Sequence, residues 1–240
     1  MTSARMQVGV VTLFPELFGP FLKTSFLGRA VSDGILRVHL EQLREHGLGK
    51  HRSVDDTPYG GGSGMVMRPD CTLAGIEAAE LALGAGVRPR RILLSPQGRP
   101  FDQAAARRLS ELGAFVLVCG RYEGFDERLR YFVQEELSVG DFVITGGEAA
   151  ALCVLEAVVR LLPGVLGNAD STHEESFSPA CQGLLEYPQY TRPATFAGYE
   201  VPEVLRSGDH RKVEEFRVRA SRNRTRARRP ELVPPEKRRR

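Results

Sequence analysis

Long apolar runs are missing from this 240-residue chain. None reaches the roughly 18 residues that a helical membrane span needs, so no such span is expected. The opening MTSARMQVGVV has no apolar stretch followed by a small-residue cleavage site, so no secretory signal is expected either. Cysteine is scarce. Cys71, Cys119, Cys153 and Cys181 form no CxxC pair, which argues against a zinc ribbon, a thiol redox motif or a disulfide scaffold. Three of them sit inside apolar patterns, as free buried thiols do, and a reducing cytoplasmic location follows as the expectation. The five histidines show no metal-ligand spacing, and no nucleophile–base pair stands out. GxGxxG and GxxxxGK[ST] are both absent, so the common dinucleotide and P-loop fingerprints do not apply.

What is present is an uneven charge distribution. The net charge of +3 divides into +9 over residues 206–240 (14 Lys/Arg against 5 Asp/Glu) and −6 over residues 1–205 (19 against 25). An acidic body with a strongly basic end suits a polyanionic partner such as nucleic acid; the plainer alternative is a solvated basic tail.

The first two-thirds alternate strand and helix patterns. MQVGVVTLF, ILRVHLEQL, RRILLS, AFVLVCG and DFVITGG read as strands. Helices are expected around Pro20–Ser32, from Pro69 to the glycines at 84 and 86, after an Asp102 N-cap, over FDERLRYFVQ, and over EAAALCVLEAVVRLL up to Pro163-Gly164. Strands separated by helices predict an α/β domain with a mostly parallel sheet. After Gly167 the texture becomes polar, as a linker would be. One basic helix then follows, N-capped by Asp209 and ended by Pro230, with Val213, Phe216 and Ala220 on one face and Arg217, Arg224 and Arg228 on another.

In open parallel sheets, ligands bind beyond the carboxyl ends of the strands. Three such ends are rich in glycine and polar groups: LLSPQG (Leu93–Gly98), CGRYEG (Cys119–Gly124) and SVGDFVITGGE (Ser138–Glu148). Singly each is an ordinary strand–helix turn; together they suggest one pocket and leave its ligand unnamed. DDTPYGGGSGM (Asp55–Met65) reads either as a flexible loop or as a backbone-rich wall or lid around a ligand.

Taken in order, TLFPELF, VDDTPYGGGSGMVM, LSPQG, CGRYEGFDER, SVGDFVITGGE, VVRLLPGVLGN, GLLEYPQYTRP, VPEVLRSGDH and RRPEL resemble the bacterial tRNA (guanine-N1)-methyltransferases of the SPOUT class, and they span nearly all of the chain. The resemblance implies an α/β domain with a deep C-terminal trefoil knot, a small helical C-terminal domain and an antiparallel homodimer whose active sites are built from both chains. It implies a catalytic, S-adenosylmethionine-binding domain over 1–167, a flexible linker over 168–183 and a basic tRNA-binding domain over 184–240. The reaction implied is S-adenosylmethionine-dependent methylation of N1 of guanosine 37 in tRNA, in the cytoplasm. Magnesium assistance is also implied, with no site assigned.

Residue by residue, the resemblance places Gly120, Tyr122, Glu123 and Gly124 in the cofactor pocket, with Glu123 facing the cationic methionyl end. Pro96 and the backbone of Val139, Gly140, Asp141, Phe142, Val143 and Ile144 enclose the adenosine part, with Gly146 and Gly147 permitting close approach. Arg121 is better read as a structural ion pair than as a ligand contact. Arg160, before PGVLG, matches an arginine that assists catalysis. The departure is at the general base: the family's Asp-Ser-Phe is Glu175-Ser176-Phe177 here, with a few extra residues before Gly183. Glutamate keeps the carboxylate and adds one methylene of reach. Glu175 is the first candidate, Asp170 the second and Glu174 the third. Two further readings stay open: an RNA-binding protein that has lost catalysis, and a SPOUT methyltransferase acting on another RNA.

Overall fold

The structure is a computed structural model that describes residues 5–167 and 174–234. The chain divides into two compact units, Met1–Gly167 and Asn168–Arg240.

The first unit is built on a five-stranded, wholly parallel sheet. Its long strands are β1 (Met6–Thr12), β2 (Leu36–Gln42), β5 (Arg90–Pro100), β6 (Ala114–Cys119) and β7 (Glu135–Ser138), in the spatial order β2-β1-β6-β5-β7. β3 (Asp55–Asp56) and β4 (Val66–Met67) form a separate antiparallel pair that closes the glycine-rich segment. A parallel sheet needs cover on both faces. On one side Met6, Val8, Val10, Phe115 and Leu117 pack with α1 (Ser25–Ser32), α3 (Gln103–Ser110) and α4 (Glu148–Val159). On the other, Val11, Val116 and Val118 pack with Cys71, Ile76, Ala79 and Leu83 of α2 (Pro69–Leu83). Every residue of β6 is buried, as a central strand demands. Asp102 caps α3 by accepting from the Ala105 N–H at 2.8 Å, and Pro69 opens α2, as the sequence predicted.

Three expected elements differ. DFVITGG is not a strand: the last strand of the sheet is β7, and residues 141–147 form an irregular loop. The Phe142 N–H folds back onto the Gly140 carbonyl at 2.9 Å, and Phe142, Val143 and Ile144 stand exposed toward a cavity rather than buried in a core. FDERLRYFVQ yields only a 3-10 helix at Glu127–Phe132, because Val133 is already extended and feeding β7. RRILLS extends through Pro100, with the pairing to β7 interrupted between Leu94 and Arg99 so that SPQG is accommodated as an excursion.

The second unit contains a short hairpin, β8 (Thr195–Phe196) with β9 (Tyr199–Glu200), and α5 (His210–Arg228). Asp209 caps α5 by accepting from the Lys212 N–H at 3.1 Å.

Candidate functional site

The carboxyl ends of β5, β6 and β7 converge on a cavity of about 300 Å³. Pro96, Gly120, Tyr122, Glu123, Gly124, Val139, Gly140, Phe142, Val143, Ile144, Gly146 and Gly147 all line it. Asp141 does not; it lies exposed on the same loop. The excursion at Ser95–Gln97 contributes a further wall.

Backbone contacts hold the loops together. The Gly147 N–H donates to the Gly120 carbonyl at 2.8 Å. A β-carbon at Gly147 would approach Cys119 Cα and Gly120 N to 2.8 Å each, so this junction needs glycine. Tyr122 adopts a left-handed backbone, φ 58°, which turns the chain back at the pocket rim. Burial, together with the Asp55 carboxylate beside it, pushes the Tyr122 phenol up.

Arg121 is a structural cation. Its Nε donates to Glu148 Oε2 at 3.0 Å, its guanidinium lies 4.4 Å over the Phe14 ring, and the other Glu148 oxygen accepts from the Thr12 hydroxyl at 2.8 Å. Glu148 is 2% exposed. The network ties the CGRYEG loop to the start of α4 and to the end of β1. Sequence reasoning missed Glu148 and Thr12. The only local signal was an acid in the first turn of a helix, where the helix dipole favours negative charge anyway.

The glycine-rich segment backs the CGRYEG loop, and none of Asp55–Met65 lines the cavity. The Glu123 N–H donates to the Met65 carbonyl at 3.0 Å, and the Met67 N–H donates to the Gly124 carbonyl at 2.9 Å. Gly64 (φ 88°) lies so close to Glu123 that an added β-carbon would come within 2.6 Å of its Cγ.

Ion pairs neutralise most of the charges that line the cavity. Arg128 pairs with Asp126 at 2.8 Å, and Arg130 pairs with Glu127 at 3.2 Å and Glu136 at 3.1 Å. Among the described residues, Glu123 is the lining carboxylate that takes no ion pair.

Of the expected catalytic residues, Arg160 is the half-buried C-cap of α4. Glu175 is half-buried in a turn, where its carbonyl accepts from the Ser178 N–H at 3.1 Å. Glu174 accepts from the Tyr187 hydroxyl at 3.2 Å. Asp170 lies outside the described residues.

α5 corrects the expected arginine face. Arg217 sits 4.6 Å over the Tyr187 ring, and Arg224 donates to the Glu186 carbonyl at 3.4 Å. Both are half-buried beside Val213, Phe216 and Ala220. At about 100° per residue, Arg217 falls only about 40° from Val213, so the two supposed faces are one. Long arginine stems cover apolar surface, and the planar head stacks on an aromatic ring. Arg228 is exposed, and Arg211, Arg219, Arg222 and Arg226 form an exposed row on the opposite side of the helix.

Comparison with known proteins decides the family. The family model described as tRNA (Guanine-1)-methyltransferase TrmD matches residues 6–235. The chain belongs to the tRNA (guanine-1)-methyltransferase family. A tRNA (guanine-N(1)-)-methyltransferase of Sorangium cellulosum is 55% identical over 245 residues, covering 95% of this chain and 93% of that protein. Proteins of the same name from Anaeromyxobacter dehalogenans and Thermus thermophilus are 54% and 52% identical, each covering 95% of this chain and 91% and 92% of their own length. Members of this methyltransferase family are transferases and need a methyl donor. The family implies S-adenosylmethionine as that donor, and the cavity offers groups of suitable chemistry: close backbone approach at Gly147, apolar side chains at Val139, Phe142 and Ile144, and at Glu123 a carboxylate without an ion pair among the described residues. Among the described residues no cluster of three or more His, Cys, Asp or Glu side chains could hold a metal ion, and no helix is long and apolar enough to cross a membrane.

Proposed function

We propose that this chain transfers a methyl group from S-adenosylmethionine to N1 of guanosine 37 of tRNA, beside the anticodon. The observation that carries the reading is the cavity at the ends of β5, β6 and β7, with Glu123 as its unpaired carboxylate among the described residues. S-adenosylmethionine supplies a methyl group on a sulfonium, and its sulfur departs as a neutral thioether with the electron pair of the broken C–S bond. N1 of neutral guanine carries a proton, so its lone pair is not available until a base acts. Glu175 takes that proton as the N1–C bond forms. Arg160 stabilises the negative charge that develops on guanine O6. Glu123 receives the ammonium of the donor, and the backbone of Val139–Ile144 with Pro96 flanks its adenosine.

The same reading includes a deep trefoil knot in the catalytic domain (1–167), a linker (168–183) and a tRNA-binding domain (184–240). It also includes a cytoplasmic antiparallel homodimer, with each site built from both chains, and magnesium assistance without an assigned site. The outer arginines of α5 meet tRNA phosphates, which position the substrate without reading its sequence.

Glu175→Gln tests the chemistry. Turnover falls about 10²–10⁴-fold, the scale of a lost general base, while S-adenosylmethionine and tRNA still bind in equilibrium assays. Activity that persisted in this variant would remove Glu175 from the role.

A further inference from the structure

Between the Glu175 turn and α5 runs a short strip, Leu184–Glu186, hydrogen-bonded on both sides. On the α5 side, the Leu185 N–H donates to the Thr225 hydroxyl at 3.0 Å, and the Ser221 hydroxyl donates to the Leu185 carbonyl at 2.6 Å. On the other side, the Phe177 N–H donates to the Leu184 carbonyl at 2.8 Å, and the Glu186 N–H donates to the Ser176 hydroxyl at 3.0 Å. Ser176 and Phe177 directly follow Glu175.

Ser221 and Thr225 are the buried residues of α5, at 8% and 0% exposure. Neither is a strong helix former, and a buried hydroxyl must be satisfied. Here it is: Thr225 also donates to the Ser221 carbonyl at 2.8 Å, so its one hydroxyl works as donor and acceptor together. Apolar residues of similar size would favour the helix as well or better but would leave both backbone groups of Leu185 unpaired. The two hydroxyls therefore set the register of the strip, not merely its burial. They share the helix with the exposed row Arg211, Arg219, Arg222 and Arg226, Thr225 lying about 60° around the axis from Arg222.

We propose that Ser221 and Thr225 are positioning residues for methyl transfer: by fixing Leu184–Glu186, and through it Ser176 and Phe177, they couple the helix that carries the outer arginine row to the placement of the Glu175 carboxylate. The proposal rests on the reading of Glu175 as the base.

The test is single-turnover methyl transfer at saturating tRNA and S-adenosylmethionine, with both dissociation constants measured separately. Thr225→Val keeps the shape and removes the hydroxyl. Its rate is expected to fall about 10- to 100-fold, the scale of a misplaced reacting group. Both dissociation constants stay within about twofold, as for an interaction used only in the transition state. Thr225→Ser, which restores the hydroxyl, recovers most of the rate. Ser176→Ala cuts the relay on the far side of the strip without touching α5, and gives the same defect even if Thr225→Val folds poorly. Glu175→Gln is run in parallel. If Glu175→Gln is inactive while Thr225→Val and Ser176→Ala turn over at the wild-type rate, the coupling is overturned and the base reading stands. If Glu175→Gln remains active, the base reading fails and takes the coupling with it. A rate loss matched by an equal loss of tRNA affinity also overturns the coupling, since that is a binding role.

Discussion

Glu148 binds Thr12 through one oxygen and Arg121 through the other, and it is almost fully buried. Removing its charge would leave the Arg121 guanidinium beside a neutral amide in a site built for an ion pair, and breaking a buried pair from one side is the expensive direction. Glu148→Gln is expected to cost about 3 kcal/mol of stability, measured by denaturant unfolding. It should also weaken S-adenosylmethionine binding by calorimetry, because Arg121 anchors the loop that forms one wall of the cavity. A variant with wild-type stability and affinity would show that the pair is ornamental. Nothing in the sequence distinguishes this glutamate from any acid in a first helical turn. Arg121, by contrast, is legible as a structural cation, because a guanidinium at the end of a core strand requires a carboxylate close by.

At the scale of elements, signals with a local cause are readable. Asp102 and Asp209 each satisfy orphan N–H groups at a helix start, and each does so here. The misreadings have a shared cause. Alternating or continuous apolar residues signal burial against something, and Phe142, Val143 and Ile144 turn toward a cavity instead of a core. Charge alone assigns Arg217 and Arg224 to a solvent-facing side, yet their stems and planar heads cover Tyr187 and the Glu186 backbone. The arginines that stay exposed set the prediction for α5. Reversing Arg222 and Arg226 to glutamate is expected to weaken tRNA binding and to reduce the slope of log affinity against log salt by about one for each phosphate no longer neutralised. S-adenosylmethionine affinity should not change. An unaltered salt slope would place the tRNA-binding surface elsewhere.

Across the whole molecule, a net −6 over residues 1–205 accompanies +9 over residues 206–240. The negative portion still depends on individual carboxylates being ionised. Burial raises the Glu135 carboxyl, but hydrogen bonds from Arg108 and Arg90 outweigh that and hold it below the usual glutamate value. Glu135 accepts from Arg90 Nε at 2.8 Å and Arg108 Nη1 at 2.9 Å. A depressed native pKa gives stability that is full above the unfolded value near 4.5 and is lost as pH falls through the native value. Glu135→Gln is thus expected to lower stability at neutral pH by about 1.5–3 kcal/mol, with the gap to wild type closing in acid. A gap independent of pH would assign the loss to packing instead.

The family and the pocket loops are legible in the sequence because their motifs are long and ordered; the Glu175-Ser176-Phe177 departure is visible too, but not its consequence for the chemistry. The most direct measurement is therefore methyl transfer from labelled S-adenosylmethionine to two tRNA transcripts that differ only at position 37, guanosine against adenosine, with the modified nucleoside identified. N1-methylguanosine in the guanosine transcript alone is the predicted result, and it would mean that the altered linker still supplies a working base. Binding of donor and tRNA with no methyl transfer to either transcript would contradict it and leave an RNA-binding protein without catalysis.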